Sequence, residues 1–202
     1  MNYKIRLLRE KLKNLNLEGM IVSNPVNIKY LTNITSEGTL LITRKENIFL
    51  TYTMYIEDVN RTLTIDDEII VVDSRDVSYD EAQNFFVFCE NIGFEENYVT
   101  YEQYKLLKQK YRINNMVETE GIIEKMRMIK DEDEIENIKR ACEITDNCFS
   151  YLLDYIKEGM TEKEVALEIE MYFKTHGAED VSFAPIVASR TKLINTTLDA
   201  WR

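Results

Sequence analysis

The chain has 202 residues, 45% of them hydrophobic, a composition typical of a globular protein that buries its core in one large or two small domains. Its formal net charge of −11 repels phosphate backbones and anionic lipid surfaces. Composition and charge therefore argue against a nucleic-acid-binding protein and against a protein of the membrane surface.

The N-terminal part of the chain alternates helix and strand patterns. Gly19 follows the first apolar helical repeat, where a left-handed cap is expected. Asn24 before Pro25 is a cap residue followed by a proline at the first helical position, and Ser78-x-x-Glu81 is a capping-box signature. In chain order we predict a helix over 5–15, a strand over 20–22, a helix over 25–31, a hairpin of 40–43 and 48–51, a helix over 55–63, a strand over 68–73, a helix from 79 toward 93, a strand over 98–100, a helix over 101–111 and a strand over 115–118. This alternation indicates an α/β domain over residues 1–120.

After Thr119 the pattern becomes helical. We predict a helical connector over 122–129, a long helix opened by Asp131-x-x-Glu134, a helix opened by Thr161-x-x-Glu164, and a strand over 181–189 that begins a new sheet. Gly159 and Gly177 end the two helices. The domain boundary is therefore predicted near residue 120, with a second domain over 121–189.

The cysteines and the N-terminus bear on the compartment. Cys89, Cys142 and Cys148 show no Cys-x-x-Cys spacing and lie in helical patterns, which suits buried thiols in a reducing compartment. Residues 1–17 alternate apolar and charged side chains and lack the apolar core of a signal peptide. We therefore expect a cytoplasmic protein.

Dense carboxylates occur in two places, at Asp66–Glu68 and at Asp131–Glu134. Calcium, magnesium and manganese bind such oxygens. An acidic run at a helix start also complements the helix dipole while it stays solvated, and a turn explains the first group equally well. The structural interpretation is the simpler one for both groups.

The chain's one histidine limits other chemistries. His176 lies in the last predicted turn before Gly177, where an imidazole interacts favourably with a helix C-terminus. Any Ser-His-Asp or Cys-His mechanism would have to use it, and a multi-histidine zinc site is excluded. The glycines form no phosphate-binding loop. The motifs alone assign no catalytic, cofactor-binding or metal-binding residue.

One polar cluster suggests an alternative activity in the first domain. Asp73, Arg75 and Asp76 follow a predicted strand, and open α/β sheets bind ligands at such strand ends. An enzyme of another kind could use this cluster, although solvated turn charges explain the same three residues.

Several segments together resemble one known family. They are Ser23–Thr32 (Ser-Asn-Pro-Val-Asn-Ile-Lys-Tyr-Leu-Thr), Ser36–Thr43, Met126–Ile135, Lys157–Glu162 and His176–Ser189. In order and spacing they resemble the N-terminal half of the Xaa-Pro aminopeptidase and dipeptidase (prolidase) family, metallopeptidases related to creatinase. The resemblance implies a creatinase-type N-terminal α/β domain with a mixed sheet, followed by the first helices and strand of an incomplete pita-bread (α+β) domain.

Two segments depart from the family pattern. The family commonly has Thr-Asp-x-Arg-Tyr after the hairpin, where this chain has Thr51–Tyr55. After Ser189 the family continues with glycine, Asn-Ser and a histidine, and later supplies two aspartates, a histidine and two glutamates that hold a metal pair. Residues 190–202 form a divergent tail in which Asp199 is the sole carboxylate. We therefore predict no metal ligand, catalytic residue or cofactor in this chain.

The resemblance sets the functional expectations. In an intact family member two divalent metals, manganese or cobalt, activate a bridging water that attacks the carbonyl before proline. This chain is expected to be inactive alone, and its divergent tail to reflect a reading-frame change, an early truncation or a natural short form. Proline-containing peptides would be partners only if the catalytic half were present.

The alternative is a non-catalytic dimerisation or partner-binding module that pairs with a full-length relative. Two helices and one strand cannot close the catalytic sheet, so their apolar stripes are expected to stay partly exposed and to drive self-association. The expected partners are a second copy or that relative, with neither nucleic acid nor membrane.

Overall fold

The computed structural model describes residues 2–44 and 46–189, apart from the side chain of Asp66. The predicted tail over 190–202, with Asp199, lies outside these residues. The chain divides after Ile129 into two units.

Six short strands form one mixed sheet in the first unit. They are β1 (Gly19–Val22), β2 (Gly38–Ile42), β3 (Asn47–Thr51), β4 (Ile69–Asp73), β5 (Asn91–Phe94) and β6 (Asn115–Glu118). Their order across the sheet is β4-β3-β2-β1-β5-β6. The pairs β3–β4, β1–β5 and β5–β6 are parallel, whereas β2 runs antiparallel to both β1 and β3. The five other strands therefore point the same way.

Six helices accompany this sheet. They are α1 (Tyr3–Asn14), α2 (Pro25–Thr32), α3 (Thr53–Thr62), α4 (Tyr79–Asn84), α5 (Tyr101–Lys110) and α6 (Ile122–Met128). Because side chains alternate along a strand, Leu40 and Ile42 of β2 enter one core while Leu41 enters the other. The first core also takes apolar side chains from α1, α2, α3 and α6, and the second takes them from α4 and from Tyr111 after α5. Both sheet faces are covered, and the predicted α/β class with a mixed sheet is confirmed.

Two glycines predicted as helix ends lie in strands instead. Asn16, with φ 56°, supplies the left-handed residue after α1, and Gly19 begins β1. Gly93 lies in β5 beside Met20, where an added Cβ would come within 2.7 Å of Thr119 Cγ2. The absent side chain thus permits close packing rather than a helix cap.

The predicted helix from 79 toward 93 is correspondingly too long. The helix α4 ends at Asn84, residues 85–88 turn, and the chain then enters β5. Pairing of β5 between β1 and β6 overrides the helical spacing of the apolar residues in this segment. The strand predicted over 98–100 is also wrong, because Thr100 is the N-cap of α5.

The connector helix belongs to the first unit. Ile122, Ile123 and Met126 of α6 are buried in the same core as α1 and α2. The division therefore falls after Ile129 rather than near residue 120. The sequence shows the change to a helical pattern, but it does not show where this short helix packs.

In the second unit, two helices are described. Capping boxes open both α7 (Glu132–Tyr155) and α8 (Glu162–Thr175), and Gly159 and Gly177 adopt positive φ after them. The strand predicted over 181–189 is wrong, since this segment has no regular secondary structure. A strand needs a neighbour for its backbone hydrogen bonds, and no other extended segment is described in this unit.

The three cysteines differ in burial, whereas the sequence predicts that all three are buried. Cys148 is buried in α7, Cys142 on the same helix is exposed, and Cys89 is half-buried in the segment between α4 and β5. All three are free thiols.

Candidate functional site

The carboxyl ends of the parallel strands meet at one edge of the sheet. This is the edge where open α/β sheets usually carry their functional groups. Buried polar side chains collect there, namely Thr51 and Asp73 in the last positions of β3 and β4, Glu95 and Thr119 just after β5 and β6, and Asn27 in α2. Buried polar groups need hydrogen-bond partners, so the partners decide what each residue can do.

In the cluster predicted at Asp73, the carboxylate is occupied by hydrogen bonds from its own turn and from Thr53. The Asp73 carboxylate accepts hydrogen bonds from the Arg75 backbone N–H at 2.9 Å, from Arg75 Nη2 at 3.2 Å and from the Thr53 hydroxyl. Hydrogen bonds hold the pKa of Asp73 below its usual range, and the bond from the Thr53 hydroxyl has a larger effect than the one from the Arg75 backbone. The structure therefore brings Asp73 and Arg75 together as a capped strand end.

The Asp76 backbone N–H donates to the Asp73 carbonyl oxygen at 3.0 Å, and Asp76 also lines a surface groove of about 910 Å³. Apolar side chains, including Ile48, Val72 and Phe85, line most of this groove, together with Cys89. Burial raises the pKa of the Cys89 thiol, and a raised pKa disfavours the nucleophilic thiolate. The groove thus holds neither an activated nucleophile nor the full cluster predicted from the sequence.

A second polar network, built on Glu95, was not predicted. Glu95 is 4% exposed and Asn27 is fully buried. Glu95 Oε2 accepts from the backbone N–H groups of Ser23 at 2.6 Å and Asn24 at 2.8 Å. Glu95 Oε1 accepts from Asn27 Nδ2 at 2.7 Å. One carboxylate therefore joins the end of β5 to the start of α2.

The same asparagine continues the network into α6. Asn27 Nδ2 also donates to Glu124 Oε1 at 2.7 Å, and Arg127 Nη1 donates to Asn27 Oδ1 at 3.1 Å. Burial raises the pKa of Glu95, the hydrogen bonds from Asn27, Asn24 and Ser23 oppose that effect, and nearby Glu124 adds to it. No local motif signals these contacts, because Asn27 and Glu124 are 97 residues apart.

The two acidic runs serve as helix caps. Asp67 belongs to a short 3-10 helix, and its Oδ2 accepts from the Thr64 backbone N–H at 2.8 Å. Burial alone would raise the pKa of Asp67, but the hydrogen bonds from Thr64 and Asn2 lower it overall. At the start of α7, Asp131 and Glu134 form a reciprocal capping box. These contacts match the structural interpretation of both runs.

His176 is the C-cap residue of α8. Its Nδ1 lies 2.8 Å from the Tyr172 carbonyl oxygen, and its ring stacks on that of Tyr172 with centroids 3.8 Å apart. Among the described residues, no group of three or more histidine, cysteine or acidic side chains could hold a metal ion. The side chains of residues 2–44 and 46–189 therefore do not fit a two-metal centre.

In the described part of the chain, no helix has the length and apolar run that a bilayer crossing requires.

Comparison with known proteins gives two matches that follow one another along the chain. The creatinase/prolidase N-terminal domain model matches residues 4–129, and the metallopeptidase family M24 model matches residues 136–192. An uncharacterized peptidase of Bacillus subtilis is 31% identical over 189 residues, which cover 92% of this chain and 53% of the relative. An Xaa-Pro dipeptidase of Pyrococcus horikoshii is 28% identical over 191 residues, which cover 94% of this chain and 52% of the relative.

A solved structure extends the comparison. The Xaa-Pro dipeptidase from Bacillus anthracis is 29% identical with a TM-score of 0.79, and the match covers 89% of this chain and 50% of that one. The chain thus spans about half the length of the relatives that it matches. It belongs to the creatinase/prolidase family and is similar to the N-terminal part of the Xaa-Pro dipeptidases of metallopeptidase family M24.

Proposed function

We propose that this chain is the N-terminal part of a metal-dependent Xaa-Pro peptidase and that residues 1–202 alone do not hydrolyse peptides. The main support is the order of the two family matches, with the creatinase/prolidase N-terminal domain directly followed by family M24. The proposed substrates of the whole enzyme are proline-containing peptides, as the name of the Bacillus anthracis relative suggests.

The proposed inactivity rests on the metal donors. A pair of divalent cations needs several carboxylates or imidazoles around it. The one histidine of the chain caps α8, and the acidic runs around Asp67 and Asp131 cap helical turns. We propose that manganese or cobalt acts only in a protein that also carries the remaining family M24 residues.

A cytoplasmic location is part of the same proposal. Cys89, Cys142 and Cys148 are all free thiols, as suits a reducing compartment. The free cysteines support a cytoplasmic location independently of the proposed peptidase function.

The test is a peptidase assay of the purified 202-residue chain with Xaa-Pro dipeptides and added manganese or cobalt. We expect no release of proline above the rate without protein, while an Xaa-Pro dipeptidase in the same buffer releases it. Metal-dependent hydrolysis by the chain, abolished by a chelator, would contradict the proposed inactivity.

A partner-binding module is the second candidate, and exposed apolar side chains favour it. Phe149 is 65% exposed and Leu153 69% exposed on α7, and Leu167 is 62% exposed on α8. We propose that these exposed apolar residues pair with a second copy of the chain or with a full-length relative, since monomers rarely expose large apolar patches.

A further inference from the structure

The helix α6 has only seven residues and comes just before the division between the two units. A helix of this length is not stable by itself in water, so its contacts with the first unit must hold it in place. Ile122, Ile123 and Met126 provide apolar anchors in the core shared with α1 and α2. Apolar contacts are not directional, so they do not by themselves fix the orientation of a helix. The orientation of α6 therefore depends on its polar contacts.

The side-chain amide of Asn27 forms hydrogen bonds both with α6 and with Glu95. A side-chain amide offers two N–H donors and one carbonyl acceptor. Asn27 donates to Glu95 at 2.7 Å and to Glu124 at 2.7 Å, and it accepts from Arg127 at 3.1 Å. Glu124 and Arg127 stand three apart on α6, so both reach the same amide from one helix face.

Glu95, the partner of Asn27 outside α6, is itself held by hydrogen bonds. Glu95 is fixed by two backbone N–H groups, those of Ser23 and Asn24, at the point where β1 leads into α2. Asn24 in turn accepts from the Val26 N–H at 3.0 Å and caps α2. The amide of Asn27 therefore has a fixed position, against which α6 docks.

We propose that Asn27, Glu124 and Arg127 form a polar lock that holds α6 on the first unit and can open while the sheet stays folded. Opening is local because α6 contributes no strand to the sheet and contacts α1 and α2, so its release breaks no strand pairing.

The experiment is hydrogen–deuterium exchange of the full chain, comparing amides of residues 122–129 with those of β1, β2 and β3. Glu124→Ala removes the acceptor for Asn27, and we expect exchange in α6 to accelerate about fivefold, as for loss of one net hydrogen bond. Glu124→Gln keeps an acceptor oxygen, so its exchange rates in α6 should stay within about twofold of those of the parent. Lys125→Ala is the matched control, since Lys125 is exposed on the same helix and pairs only loosely with Glu120 at 3.9 Å.

Asn27→Asp and Arg127→Met give independent tests. Asn27→Asp replaces the donors with a third carboxylate beside Glu95 and Glu124, so we expect the largest acceleration in α6. If that variant does not fold, Glu124→Ala and Arg127→Met still decide the question. Unchanged α6 exchange in both would overturn the proposal, and so would equal acceleration in α6 and the sheet, because α6 would then not open separately.

Discussion

Glu95 places a carboxylate in a nearly dry position at the junction of β5 and α2. Burial favours its protonated form, and the neighbouring Glu124 adds to that preference. Asp73 behaves in the opposite way, because the Thr53 hydroxyl and Arg75 hold its pKa low. The two residues should therefore affect folding stability with opposite pH dependence.

The first prediction concerns Glu95→Gln, which keeps the shape of the side chain but cannot ionise. Because the folded pKa of Glu95 is raised, its contribution is complete below the ordinary pKa and falls as pH rises through the folded pKa. The stability of the parent relative to the variant should thus decline as the pH rises above the ordinary pKa of a glutamate, about 4.3. Urea unfolding of both proteins, followed by circular dichroism, measures this difference. Equal pH slopes would show that Glu95 has no raised pKa.

For single residues, the sequence predicts contacts between near neighbours in the chain well and contacts between distant residues poorly. Asn24 before Pro25 was predicted as a cap, and the Asn24 side chain accepts the Val26 N–H. Asn27, three residues later, was not assigned a role, because its partners Glu95 and Glu124 are 68 and 97 residues away. Only the fold brings these side chains together.

Helix caps act at the scale of the element. Thr100 opens α5, where its side chain accepts the Gln103 N–H at 3.3 Å and the Gln103 side chain accepts the Thr100 N–H at 2.8 Å. We predict that Thr100→Ala destabilises the protein by about 0.5–2 kcal/mol and that Thr100→Asp, which can also cap, recovers most of this loss. Chemical denaturation of the three proteins tests it, and equal losses in both variants would exclude a capping role.

Close packing across strands gives the third prediction. In Gly93→Ala the new Cβ would lie 2.7 Å from Thr119 Cγ2, and we expect a loss of about 1–3 kcal/mol. Thr119→Ser removes that methyl group and keeps the hydroxyl that donates to the Phe94 carbonyl. Gly93→Ala should therefore cost less in the Thr119→Ser background, as measured by a double-mutant cycle from urea unfolding. An equal cost in both backgrounds would mean that the contact with Thr119 does not determine the need for glycine.

Gly93 also shows why some elements escape prediction from sequence. A glycine after four apolar residues at helical spacing looks like a helix end, yet in the fold it permits β5 to approach Thr119 and Leu17. The capping boxes at Ser78, Asp131 and Thr161 were correctly predicted because each involves residues only three apart. Elements set by local hydrogen bonds are predictable, whereas those set by strand pairing depend on the whole sheet.

For the whole molecule, the feature with the largest consequence is the exposed apolar face of α7 that carries Phe149 and Leu153. We predict that the chain self-associates at tens of micromolar and that Phe149→Lys with Leu153→Lys shifts it toward monomer by adding charge to that face. Met54→Lys, at another exposed apolar position in α3, is the control and should leave association unchanged. Light scattering across a concentration series measures the effect. A parent chain that stays monomeric throughout would contradict the partner-binding candidate.

The central claim is that this chain serves as the N-terminal part of an Xaa-Pro peptidase. The most direct measurement joins residues 1–189 to the remaining half of the Bacillus anthracis Xaa-Pro dipeptidase and assays the purified chimera on Xaa-Pro dipeptides with manganese. We predict metal-dependent release of proline by the chimera and none by the 202-residue chain. A folded chimera that releases no proline, beside an active parent dipeptidase, would contradict the account.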